Sequence, residues 1–164
     1  MDSTQQRSDS KSAASMKYAT FAQMILAGTI IMFGLMYLNT YSADHVFFSE
    51  TRAYMALIMG ATMAIVMLGF MWKMYANKMV NVAILAGSVA VFSVALWLVR
   101  SQATVDDVSY MRAMIPHHSI AILTSERAKI TDPRVRKLAD GIIAAQKKEI
   151  GEMKAYIDDL ENKK

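Results

Sequence analysis

The chain has 164 residues, 18 Lys and Arg against 14 Asp and Glu, three His, no Cys, and 54% hydrophobic residues. The lack of cysteine excludes disulfides, thiolate metal sites and cysteine nucleophiles together. Apolar residues are gathered between Tyr18 and Val99, whereas residues 103–164 hold 11 Lys and Arg interspersed with 10 Asp and Glu. That distribution excludes a single soluble globular domain, and bases alternating with acids make the net charge of +4 no argument for a nucleic-acid partner.

Residues 1–17 are rich in Ser, Gln, Lys and Asp, with too few apolar groups to bury, and read as a disordered tail. Three runs follow, 18–38, 53–72 and 80–99, none containing a charged residue. A hydrocarbon core of about 30 Å is crossed by roughly 20 helical residues, so the region 18–99 is predicted to form three transmembrane helices. The first run exceeds the roughly 7–15 apolar residues of a signal peptide and no A-x-A cleavage pattern follows it, so it reads as a permanent anchor. Arg7, Lys11 and Lys17 precede the first run and Lys73 and Lys78 lie between the second and third, while the 39–52 loop has only Arg52 beside Asp44 and Glu50. By the positive-inside rule the N-terminus is expected in the cytoplasm. The first loop and everything after Arg100 are then extracytoplasmic, as in a periplasm. The loop carries interfacial aromatics and one candidate ligand, His45.

Beyond Arg100 the pattern becomes that of soluble amphipathic helices, so residues 100–164 read as a separate extramembrane domain. Thr104 and Asp107 resemble a capping box, which predicts a helix from about Val105 to Lys129 with the stripe Val108, Met111, Met114 or Ile115, His118, Ile122. Asp132 suits an N-cap and Pro133 the first helical position, predicting a second helix to about Leu160. Its stripe runs Val135, Leu138, Ile142, Gln146, Ile150 or Glu149, Met153, Ile157, Leu160. A hairpin of this size has little core of its own. The expectation is an all-α protein in which the hairpin pairs with a second copy, as a homodimer or higher oligomer, to make a four-helix bundle.

The chemistry is concentrated at Met111-Arg112-Ala113-Met114-Ile115-Pro116-His117-His118. At about 100° per residue Met111, Met114 and His118 share a face, while His117 points elsewhere unless Pro116 kinks the helix. On the second helix Met153 lies seven residues after Gln146, with Glu149 close by. Thioethers are soft ligands with no proton to lose and select Cu(I), or Ag(I) by the same softness, over Zn(II) or Mg(II). Methionine in a helical stripe is ordinarily core filler, so it is the company of histidine and proline that sets this segment apart.

The stretch 105–160, with Met-x-x-Met-Ile-Pro-His-His at 111–118 and Gln146-x-x-Glu149-Ile150-x-x-Met153, resembles the family filed as domain of unknown function 305. That resemblance implies a ferritin-like four-helix bundle and a secreted or periplasmic copper-binding role in bacteria, with Met111, Met114, His117, His118 and Met153 as copper ligands. It departs from the commoner pattern at Leu123, where a Met is usual, and at Tyr156, where a Trp is frequent. The location implied is the bacterial inner membrane.

Met55, Met59, Met63, Met67 and Met71 recur every four residues in the second apolar run. As a thioether track they resemble the Met-x-x-x-Met of eukaryotic copper transporters, which also have three transmembrane helices. Those transporters carry a Gly-x-x-x-Gly in the third helix that is missing here, and have the opposite orientation. The expected function is a membrane-anchored Cu(I)-binding protein of metal tolerance or handling. The alternatives are a copper transport or delivery subunit using the ladder, and a metal-free helical scaffold. No Glu-x-x-His pair, HExxH, phosphate loop or Ser/His/Asp arrangement occurs, so no enzyme is expected. Metal held through neutral imidazole is expected to weaken as pH falls through about 6.5.

Overall fold

A computed structural model describes residues 3–163, with side chains from Met16 onwards. Among the described residues every regular element is helical: α1 (Ser3–Leu35), α2 (Glu50–Phe70), α3 (Lys78–Ser101), α4 (Asp107–Arg127) and α5 (Pro133–Asn162), with short 3-10 turns at Ala43–His45 and Trp72–Met74. Three helices are long and apolar enough to cross a membrane: Met16–Leu35 within α1, then α2 and α3. The segment expected to be a disordered tail is helical from Ser3. No glycine or proline precedes Gly28, so nothing in the backbone stops the helix from propagating towards the N-terminus.

The chain divides into two compact units. The first holds α1 as far as Phe33, α2 from Tyr54, and α3. Its α2 buries Ala56, Gly60, Ala61, Ala64 and Leu68, a stripe of mostly small residues. Small residues let helix backbones approach closely where lipid provides no hydrophobic drive, and here a Cβ on Gly60 would sit 2.2 Å from Thr29 Oγ1 of α1. At one end Phe21, Ala64, Leu68 and Tyr75 form a core, with Phe21 edge-on to Tyr75 at 5.5 Å. The buried Asn81 amide donates to the Tyr75 carbonyl (3.0 Å) and accepts from the Tyr18 hydroxyl (2.7 Å). A polar side chain inside the third span is thereby satisfied.

The second unit comprises residues 34–53 and 102–163. The loop expected to belong to the transmembrane region thus packs with the C-terminal hairpin. Both lie on the same side of any membrane that α2 and α3 cross, as two crossings require. Asp106, not Thr104, caps α4, accepting from Ser109 N at 2.7 Å. Asp132 caps α5 through Arg134 N (2.8 Å), with Pro133 in the first turn as expected. Met111, Ile115 and Ile122 of α4 meet Ile150 and Ile157 of α5 in one apolar core, joined by Phe47 from the loop, Val108, Ile143, Met153 and Leu160.

The buried stripe of α5 differs from the expected one at its start. Ala139 is buried, whereas Val135, Leu138 and Ile142 are exposed. Lys147 pairs with Glu126 at 3.0 Å, which sets the end of α4 opposite the middle of α5 and leaves the first turns of α5 overhanging. From Ile150 onwards the expected seam holds, with Ile150 inward and Glu149 on the flank.

Candidate functional site

Met111 and Met153 enter the same core, one from each helix. His118, on the flank of that core, points Nε2 at Glu149 Oε2 across the hairpin at 2.7 Å. Its side chain is only 12% exposed. Its Nδ1 is buried with no hydrogen-bond partner, a costly state for a ring nitrogen unless something occupies its lone pair. Met114 lies one turn before His118 and is half-buried. Glu149 lies about one turn before Met153 on α5. At about 100° per residue Met111, Met114 and His118 occupy one side of α4, and Glu149 and Met153 the facing side of α5.

His117 is the member of the expected set that stays apart. It is exposed, and its ring centroid stands 6.3 Å from that of His118 at an interplanar angle of 62°. The helix is continuous through the buried Pro116, so the proline does not swing both imidazoles to one side. Among the described residues no three of His, Asp and Glu gather as a metal-holding group.

The opposite flank of the hairpin is covered by the 34–53 segment. Ser119, fully buried and next to His118, accepts from Tyr41 N at 2.7 Å, and its Oγ lies 3.0 Å from His45 Nδ1. Lys154 donates to Asp44 at 2.6 Å, and the Lys147 ammonium stands 5.6 Å from the centre of the Tyr41 ring. Glu50 accepts from Ser109 Oγ at 3.2 Å, and Arg52 stacks over Tyr37 at 4.4 Å while donating to the Met36 carbonyl. The hydrogen bond from Lys154 holds the Asp44 carboxyl well below the usual carboxylate range. Burial lowers the His45 imidazole, against the neighbouring Asp44 charge. His45 therefore anchors a strap through Ser119 on the far flank from His118. His45, expected as a candidate ligand among interfacial aromatics, instead has Ser119 and Asp44 as its neighbours, for which the sequence carries no signal.

The ladder in α2 lies beside its buried stripe. Met55 is exposed, a Cβ on Gly28 would meet the Met63 methyl at 2.8 Å, and Met67 and Met71 pack against the aromatic core of the first unit.

Residues 107–164 match the family described as "Domain of unknown function (DUF305)". The chain is also 39% identical over 80 residues to a protein described as "Uncharacterized protein L153" of Acanthamoeba polyphaga mimivirus, covering 46% of this chain and 53% of that protein. It thus spans about half the length of that curated relative. No solved structure matches.

Proposed function

We propose that the second unit binds Cu(I), with Ag(I) as a ligand of the same softness, through Met111, Met114, His118 and Met153, and that α1 to α3 anchor this site at a membrane. The observation that carries the reading is the buried, unpartnered Nδ1 of His118. With Nε2 protonated and donating to Glu149, Nδ1 holds a bare lone pair, the form in which imidazole ligates a metal. Glu149 then fixes the tautomer and orientation of His118. Thioethers from both helices supply soft donors that release no proton on binding. His117 lies outside this set and faces solvent. The positive charges in the polar first half of α1, Arg7, Lys11 and Lys17, and those of Lys73 and Lys78 at the turn from α2 into α3, support an extracytoplasmic site, at the inner membrane if the host is bacterial, in metal tolerance or handling. The methionines of α2 are packing groups in this reading, since two of them sit on an aromatic core and a third over a glycine.

The test is an anaerobic titration of the full-length protein in detergent with Cu(I) against a chromophoric chelator. Wild type should compete for the ion. Competition should vanish in the variant Met111→Ala, Met114→Ala, His118→Ala, Met153→Ala and survive His117→Ala. A folded wild-type protein that takes no Cu(I) from the chelator overturns the reading.

A further inference from the structure

Within the first unit, Asn81 and Ala95 are the only buried residues of α3, so the third span leaves space beside the other two. That space is an open-sided cavity of about 430 Å³ bounded by Phe21 and Ile25 of α1, Gly60 and Ala64 of α2, and Ile84 and Gly87 of α3. Its volume is that of a ligand site, and these walls are apolar or small. Two polar groups that border it are satisfied within the chain: Thr29 Oγ1 donates to the Ile25 carbonyl at 2.7 Å, and the Tyr18 hydroxyl donates to Asn81. The walls therefore suit an apolar occupant.

The extent of the cavity and the charge at one end select that occupant. On α1 the lining runs from Tyr18 to Thr29, about 16 Å at 1.5 Å per residue. That is the depth of one leaflet, half of a hydrocarbon core of about 30 Å. The lining ends where Thr29 and Gly60 bring α1 and α2 together, and Gly60 and Val91 stand about halfway along α2 and α3. A helix of a second copy crosses both leaflets and would need a groove of twice that length. At the other end the Tyr18 hydroxyl bonds to Asn77 O and Asn81 Oδ1, setting the start of the first span beside the start of α3. Lys17 and Lys78, both exposed, are each one residue from a partner in that link. No Asp or Glu occurs in residues 10–43 or 51–105, so these stretches hold no acid to neutralise them. We propose that the cavity is a site for one anionic phospholipid, with an acyl chain between α1, α2 and α3 and the headgroup phosphate on Lys17 and Lys78. By the positive-inside rule this is the cytoplasmic end, and the cytoplasmic leaflet carries the anionic lipids. The proposal rests on α1 to α3 crossing a membrane and is independent of copper.

The test offers the full-length protein, in non-ionic detergent, phosphatidylglycerol and phosphatidylcholine with the same acyl chains, and counts retained lipids by native mass spectrometry. One phosphatidylglycerol should be retained, at least tenfold over phosphatidylcholine. Lys17→Gln with Lys78→Gln should bring the two lipids to near parity. Gly87 lines the cavity and a Cβ there meets nothing within 4 Å, so Gly87→Leu should fold and lower retention of both lipids at least tenfold. Gly34→Leu, equally free of neighbours and outside the cavity, should retain phosphatidylglycerol as wild type does. Equal retention of the two lipids by wild type, or a preference that survives the double lysine exchange, overturns the headgroup site. Retention untouched by Gly87→Leu overturns the cavity assignment. A lipid-free dimer that Gly87→Leu dissociates would give the cavity to a helix of a second copy and overturn the proposal. Alkaline carbonate extraction tests the premise separately: protein washed from its membranes refutes the spans themselves, whereas protein that stays but shows no lipid preference refutes the lipid site alone.

Discussion

The two units use methionine in contrasting surroundings. In the first, Met63 and Met67 of α2, and Met71 just past its end, lie against a glycine and an aromatic core, beside a buried face made mostly of alanine and glycine. In the second, Met111 and Met153 share a core whose flank carries an imidazole with one nitrogen tied to a carboxylate and the other buried without a partner. The residue type is common to both and the chemistry is not. A thioether becomes a candidate ligand through what stands next to it, which is why five methionines in register weigh less here than two beside His118.

The sharpest way to break the contrast is to remove packing from each unit. Ile115 is fully buried in the hairpin, and Ile115→Ala should destabilise the second unit by about 2–5 kcal/mol, read as a lower denaturation midpoint. In the first unit the corresponding damage comes from adding volume. Gly60→Leu, with a Cβ already 2.2 Å from Thr29 Oγ1, should lower thermal stability in detergent by about 1–3 kcal/mol or more. Gly87→Leu, where a Cβ meets nothing within 4 Å, should leave it nearly unchanged. Equal tolerance at positions 60 and 87 would dissolve the close α1/α2 contact.

A gentler exchange sharpens the difference in chemistry. Met→Leu conserves volume and costs less than about 1.5 kcal/mol, so both units should stay folded under it. Met63→Leu with Met67→Leu should leave Cu(I) affinity unchanged, whereas Met111→Leu with Met153→Leu should weaken it at least tenfold. The opposite ranking, measured by chelator competition, would move the copper chemistry into the membrane unit.

Much of this was legible in the sequence because the strongest signals are local. Uninterrupted apolar runs locate the second half of α1, α2 and α3, though not the polar first half of α1, and Asp132-Pro133 locates the start of α5 to the residue. The cap of α4 shifted by two positions because Asp106 and Asp107 follow within three residues of Thr104 and any of these residue types can cap. At the end of α3, Gln102 adopts φ 53° where a glycine would have announced the turn. The strap was not legible: Tyr41 and His45 reach Ser119 across more than seventy residues, a contact no helical period encodes. The same holds for His118 and Glu149, whose pairing depends on the register between two helices. That register also explains why Val135 and Leu138, in phase with the expected seam, face solvent.

The smallest expected effect separates the two flanks of the hairpin by pH. Burial favours the neutral form of His45 in the folded protein, while an unfolded histidine takes up its proton near about 6.5. Below that pH the unfolded state binds more protons, so the contribution of His45 is fully present above about 6.5 and is lost as pH falls through the lower folded value. Asp44, held below the usual carboxylate range by Lys154, has the same sign but acts only in stronger acid, below about 3.8. Between pH 7 and 5 the strap should therefore loosen through His45 alone of this pair. The amide of Tyr41, which donates to Ser119 Oγ, reports it: its protection from hydrogen exchange, corrected for intrinsic rate, should fall across that window. His45→Gln should abolish the step, because an amide does not titrate there, while leaving the His118 flank intact. Protection that declines equally in wild type and His45→Gln would mean that acid loosens the hairpin itself, and that the strap merely follows.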